Sequence, residues 1–347
     1  MTATKLSYLP GRNDPESTDV SPKYDRRFHG KEQRRKSTHF AALLFFCCWL
    51  SAISVRGLTA QSAPCGPSAR SSRGREIFLE PGHFYDAPDP LPPGRPGDLI
   101  RSNPSDDYEL PPRVNVIRIL YHSSSSSGSN VPASGVVLFP NRKAPEAGWP
   151  ILAWAHPVLG TGTNCAPSLM RNLQSGPILS MYVRLGFAVV APDQVTLGLA
   201  SSEARSDLRS RAEDLIYAVA AAKHAIPRLG QEWLAIGYGD GASIAIATAE
   251  AETGARGSDF LGSVAVSNLN TLELNPVQQP LLVISDGVPD DSLTRQIVAR
   301  MCNLGVRVEF ETYAGVASGS LMGESAASQI SWIKARFSGS AVPSNCR

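Results

Sequence analysis

Residues 234–245 read Leu234-Ala-Ile-Gly237-Tyr238-Gly239-Asp240-Gly241-Ala-Ser-Ile-Ala245. An apolar run from Trp233 to Tyr238 meets two closely spaced glycines, and small residues suited to a helix follow at once. That succession predicts a buried strand, a tight turn with Gly239 at its apex, and a helix from Gly241 to Ala251. The spacing is that of a G-x-S-x-G turn whose central serine is replaced. In such a turn the flanking glycines let strand and helix backbones approach closely. The central side chain is held up at the helix N-terminus, beside amides able to stabilise an oxyanion. Gly239 has no side-chain atom with which to form a bond. The turn stores about 1–3 kcal/mol of backbone strain, which glycine avoids, so the replacement favours folding over chemistry. Asp240 lies one residue past the apex. Its charge suits the helix dipole there but would repel a developing oxyanion.

Outward from this turn, strand and helix patterns alternate. Strands are expected at Val116–Tyr121, Gly135–Phe139, Pro150–His156, Phe187–Pro192, Leu261–Val266, Pro280–Ser285 and from Val306 to Glu311. Helices are expected over 168–185 with a break near Gly176-Pro177, then over 206–226, 292–304 and 325–337. Ser123 to Ser127 reads as a flexible hairpin loop. The order implies a mostly parallel sheet with helices on both faces, the α/β-hydrolase architecture. Only a short link separates Val266 from Pro280, so no large cap domain is expected.

The chain divides into three expected parts. Residues 1–60 form a basic n-region and signal peptide, 61–112 a Pro/Gly-rich arm laid over the domain or partly disordered, and 113–347 the α/β domain. Phe40 to Val55 is nearly free of polar side chains but shorter than the roughly 20 residues of a membrane-spanning helix. Cleavage near Ala60 or Ala63 makes the protein secreted or envelope-associated, with an uncleaved N-terminal anchor as the alternative and no other membrane contact. Of 347 residues, 42% are hydrophobic and 18% charged, with a formal net charge of +2. Much of the basic excess lies near the start, so no nucleic-acid partner is expected.

Cys47 and Cys48 fall inside the signal's apolar core. Cys65, Cys165, Cys302 and Cys346 remain, an even number in a chain bound for an oxidising compartment. Three pairings are open. Cys302 with Cys346 would tie down the C-terminal tail, and Cys65 with Cys165 the start of the mature chain. No Cys/His cluster suggests a metal site, and no cofactor is implied.

Several further stretches recur in order. They include Phe84-Tyr-Asp-Ala-Pro, Trp154-Ala-His-Pro-Val-Leu-Gly, Leu185-Gly-Phe-Ala-Val-Val-Ala-Pro-Asp193, the turn at 237–242, Pro280-Leu-Leu-Val-Ile through Asp290, and Trp332-Ile-Lys-Ala-Arg-Phe337. Together they resemble the secreted lipase family of fungi and actinobacteria over about residues 82–347. The resemblance implies a nucleophilic serine at position 239, where this chain has Gly239. It implies an acid at Asp290 in Gly287-Val-Pro-Asp290, with Asp286 and Asp291 as nearby substitutes. It implies a histidine where Gly315-Val-Ala-Ser318-Gly319 has Ser318, and no histidine follows His224. A hydroxyl cannot carry a proton at neutral pH as an imidazole does. Pro157 stands in the oxyanion loop and has no N–H to donate. His156 survives beside it, at a strand end where a structural hydrogen bond is the commoner role.

The expectation is an exported, monomeric relative of lipases with little or no hydrolase activity, able to hold a lipid-like or ester-like small molecule. The alternative is an active carboxylic-ester hydrolase with a rearranged site.

Overall fold

The computed structural model describes residues 78–79, 82–157, 165–194, 207–253, 259–269, 277–287 and 291–346. Nine strands join in one sheet: β1 (Leu99–Pro104), β2 (Val114–Ser124), β3 (Asn130–Pro140), β4 (Trp149–Ala155), β5 (Ala188–Pro192), β6 (Leu229–Tyr238), β7 (Phe260–Val266), β8 (Leu281–Ser285) and β9 (Val308–Thr312). Their spatial order is β1-β2-β3-β5-β4-β6-β7-β8-β9. The first four in that order pair antiparallel, and every pair from β5 to β9 is parallel.

Period-two alternation divides each central strand between two cores. Ile151, Ala153 and Ala155 of β4 face one side, while Leu152 and Trp154 face the other. The first side is covered by α2 (Leu208–Ala225), α3 (Gly241–Ala251) and α4 (Ser292–Asn303). The second is covered by α1 (Gly176–Leu185), α5 (Ser318–Glu324) and α6 (Ala326–Phe337). This is the α/β-hydrolase fold expected from the sequence, and residues 267–280 alone connect β7 to β8, so no large cap is inserted there.

Two features differ from expectation. The arm contributes β1, which pairs with β2 through Arg101↔Leu120 to Pro104↔Ile117. The serine run is not wholly a flexible loop: Ser123 is buried on β2 and donates to Asp214 at 2.7 Å. Ser125, Ser127 and Ser129 then link to one another across the turn. A buried carboxylate needs such donors, which is why the first serines of the run stay in the strand.

The arm is pinned by a second buried carboxylate. Asp193, just past β5, accepts from the Ser168 amide at 2.8 Å, the Ser168 hydroxyl at 2.5 Å and Ser134 at 2.7 Å. The hydroxyls of Tyr85 and Tyr108 bond in turn to Ser168, and Arg118 pairs with Asp107 of the arm at 2.7 Å.

The far edge is closed by the tail. Cys302 and Cys346 form a disulfide, and Asn345 bonds the β9 backbone at Val308 and Phe310, covering an edge that could otherwise pair with another chain. Cys165 is also disulfide-bonded; Cys65 lies outside the described residues, as do the basic segment, the apolar run and the cleavage sites. Among the described residues no helix is long and apolar enough to cross a membrane.

Candidate active site

The C-terminal ends of β4, β6, β8 and β9 deliver the residues singled out by the sequence. At the end of β6 the chain turns at Gly239 with φ +59°, a left-handed conformation that glycine adopts without the Cβ clash other residues meet. Its N–H donates to Val266 O at 3.2 Å and its carbonyl accepts from Ala242 at 3.0 Å, which starts α3. The close approach expected of the two flanking glycines is present. A Cβ at Gly237 would lie 1.9 Å from Gly241 O, and one at Gly241 would lie 2.1 Å from Ala155 O. The space above the apex is occupied too. A Cβ at Gly239 would meet Pro157 Cβ at 3.2 Å.

Asp240 caps α3 without a side-chain hydrogen bond and is exposed. Its charge acts on Arg211 of α2, whose guanidinium is pulled below its usual range by burial while Asp240 opposes the shift. Arg211 donates to Gln194 at 2.7 and 2.9 Å, and Gln194 donates to His156 O at 3.3 Å.

His156 is buried, with Trp154 Nε1 donating to its Nδ1 at 3.2 Å. That bond leaves Nε2 to carry the proton of the neutral ring. Burial drives the imidazole down to about 3, with the nearby Gln174 side chain opposing the shift although it falls short of a hydrogen bond. Nε2 makes no hydrogen bond among the described residues. A neutral imidazole of such low basicity, paired with an indole rather than a carboxylate, matches a structural role at the strand end.

Past β8 the acid that meets Ser318 is Asp286. It is 1% exposed, accepts from Asn268 Nδ2 at 2.8 Å and receives a close hydrogen bond from the Ser318 hydroxyl. Ser285 and Asn268 brace it, with Ser285 Oγ donating to Asn268 Oδ1 at 2.6 Å. Ser318 is the first residue of α5, and its carbonyl accepts from Tyr238 OH at 2.8 Å. Tyr238 therefore ties the residue beside the apex to the segment after β9, a role its sequence position did not signal. Asp290 lies outside the described residues. Asp291 caps α4 and pairs with Arg295 at 2.8 Å while accepting from Thr312 at 3.3 Å, which commits it to the helix end.

The edge of the sheet thus brings together a glycine apex, a proline against it and a serine–aspartate hydrogen bond. Among the described residues no group of three or more His, Cys, Asp or Glu side chains is gathered as a metal site.

No family model matches the chain, and no curated protein matches it. Solved structures do. Candida antarctica lipase A in its closed state is 13% identical, covering 76% of this chain and 87% of its own, with a TM-score of 0.57. The rice cell wall degrading esterase LipA from Xanthomonas oryzae is 14% identical, covering 70% of this chain and 98% of its own, with a TM-score of 0.54. A protein from Legionella pneumophila is 13% identical over 71% of this chain and all of its own, with a TM-score of 0.58. Likeness at such identities lies in the backbone, and this chain shares the α/β-hydrolase fold with those lipase and esterase structures.

Proposed function

We propose that the chain is a lipase- and esterase-related protein that has little or no ester-hydrolase activity and holds a lipid-like or ester-like small molecule without cleaving it. It is exported by its N-terminal signal, cleaved near Ala60 or Ala63, and works as a monomer. The observation that carries this reading is the chemistry facing the rim of the sheet. Gly239 at the apex of the turn offers no side-chain oxygen, and the group hydrogen-bonded to the Asp286 carboxylate there is the Ser318 hydroxyl rather than an imidazole.

One contact invites the opposite reading, in which Ser318, hydrogen-bonded to Asp286, serves as a substitute nucleophile. Acidity argues against it. A carboxylate is intrinsically a far weaker base than imidazole, and Asp286 already accepts from Asn268. A hydroxyl that donates to such a group is held in place, not activated.

Two measurements on protein purified from its native secretion test the reading. Organic extraction followed by mass spectrometry is expected to release a bound lipid or ester. Incubation with a fluorophosphonate is expected to add no mass. Stoichiometric labelling of a serine would replace this reading with that of an active hydrolase, and protein carrying no extractable ligand would remove the binding role.

A further inference from the structure

At the opposite end of the sheet, away from Gly239, three arginines from separate segments line one cleft of about 480 Å³, within the usual range for a small-molecule site. Arg113 precedes β2, Arg142 follows β3 and Arg184 stands in the last turn of α1. The register Val114↔Pro140 sets the first two beside each other, with the Asn141 amide donating to Arg113 O at 3.0 Å. Arg113 is held at φ 71°, a conformation that costs a side-chain-bearing residue roughly 1–2 kcal/mol. Arg142 lies over the end of α1, where a Cβ at Gly186 would meet its guanidinium at 2.8 Å. Among the described residues none of the three forms an ion pair and no acid lines the cleft. Nor are they needed as helix caps, because the Gly186 amide already serves Tyr182 O and Val183 O.

A second hollow of about 390 Å³ shares Pro111 and Arg184 with the first and continues along α1 past Met181 and Leu185. Leu185 is 40% exposed, one of two large hydrophobic side chains so placed among the described residues. Ser180 also lines this hollow; it is 1% exposed and its hydroxyl finds no hydrogen-bond partner among the described residues. Unpaired positive charge therefore adjoins an apolar trough that has few groups able to pair the amides of a peptide.

We propose that this groove binds a single-chain amphiphile with an anionic head, the head held by Arg113, Arg142 and Arg184 and the aliphatic chain laid along Pro111, Met181 and Leu185. Guanidinium groups suit carboxylate and phosphate oxygens by charge and by their planar pairs of donors. The site lies at the end of the sheet opposite the elbow, so it stands or falls independently of ester chemistry there.

Calorimetric titration of the full chain with decanoate, decyl phosphate, 1-decanol and inorganic phosphate, all below micellar concentration, provides the test. One or both of the anionic amphiphiles is expected to bind saturably with one-to-one stoichiometry. Decanol and inorganic phosphate should each bind at least about tenfold more weakly, since each lacks one of the two contacts. Arg142→Gln and Arg184→Gln should each weaken amphiphile binding by about fivefold, and Met181→Ser by about threefold or more. Circular dichroism on each variant confirms that these surface changes leave the fold intact. Absence of saturable binding, decanol binding as tightly as decanoate, inorganic phosphate binding as tightly as decyl phosphate, or indifference to the arginine replacements would each overturn the proposal.

Discussion

The Ser318 hydroxyl donates to the carboxylate of Asp286, and the Ser318 carbonyl accepts from Tyr238. Two hydrogen bonds thus fix the start of α5 against the ends of β8 and β6, at the rim where proton transfer would take place. Ser318→Ala removes one donor from Asp286, which keeps the bond from Asn268, and should lower unfolding free energy by about 1 kcal/mol, the modest value reflecting a partly exposed bond. Urea denaturation of parent and variant measures the difference. Equal stabilities would mean that the contact contributes nothing to the fold.

Placing an oxygen-bearing side chain at the apex should strain the chain. Gly239→Ser places a side chain at φ +59° and within 3.2 Å of Pro157 Cβ, at an expected cost of about 1–3 kcal/mol. Part of that cost belongs to the proline. A double-mutant cycle with Pro157→Gly should therefore show a coupling of about 0.5 kcal/mol or more in the direction of relief. Strict additivity would show that the two positions do not meet.

The disulfide and the tail it anchors should be worth measurable stability. Cys302 and Cys346 are 44 residues apart in sequence, and cross-linking a loop of that size contributes about 2–4 kcal/mol. Replacing both by serine should lower the denaturation midpoint accordingly and free Asn345 from β9. Amide exchange should then rise at Phe310, whose N–H donates to the Asn345 side chain at 2.9 Å. An unchanged midpoint and unchanged exchange would show that the tail is not held by the cross-link.

Two buried groups give stability opposite dependences on pH. His156 titrates near 6.5 when unfolded and at about 3 when folded, because burial disfavours its charged form. Its contribution is complete above about 6.5 and is lost as pH falls towards about 3, by up to about 1.4 kcal/mol per pH unit. Asp193 is raised by burial from 3.8 to about 6. Its contribution is complete below about 3.8 and is lost as pH rises through about 6. Between about pH 4 and 6 the two oppose each other. His156→Leu removes one of them, so the melting temperature of that variant should climb relative to the parent as pH falls from 6 to 4. Parallel profiles would mean that His156 takes up its proton in the folded protein.

Much of this was readable in the residues. Runs such as Ile151 to Ala155 and Leu281 to Ile284 are apolar on successive positions because those strands are covered on both faces, and the glycines at 237 and 241 announced the close strand–helix approach. What stayed hidden depends on tertiary partners. Leu99-Ile-Arg-Ser-Asn-Pro104 has neither alternation nor β-branched density, and it becomes a strand through the ladder that β2 offers it. Ser318-Gly-Ser-Leu-Met-Gly-Glu324 carries two glycines and two serines in seven residues, yet Leu321 and Met322 are buried in the second core and support α5 there. The preference for Asp290 came from the family resemblance, whereas the Asp286–Ser318 bond needs β8 and the segment after β9 to be folded side by side. Nothing in the linear order joins residues 286 and 318.

The most direct measurement is hydrolysis of a short-chain aryl ester, such as 4-nitrophenyl butyrate, by the disulfide-intact parent and by the Gly239→Ser/Ser318→His variant, with and without fluorophosphonate. The parent rate is expected to be no higher than that of buffer with denatured protein. At most a weak, inhibitor-sensitive rate is expected for the variant, in which Pro157 still stands against the apex and has no N–H to donate. Turnover by the parent that a fluorophosphonate abolishes, with one serine modified, would make the chain an active ester hydrolase with a rearranged site.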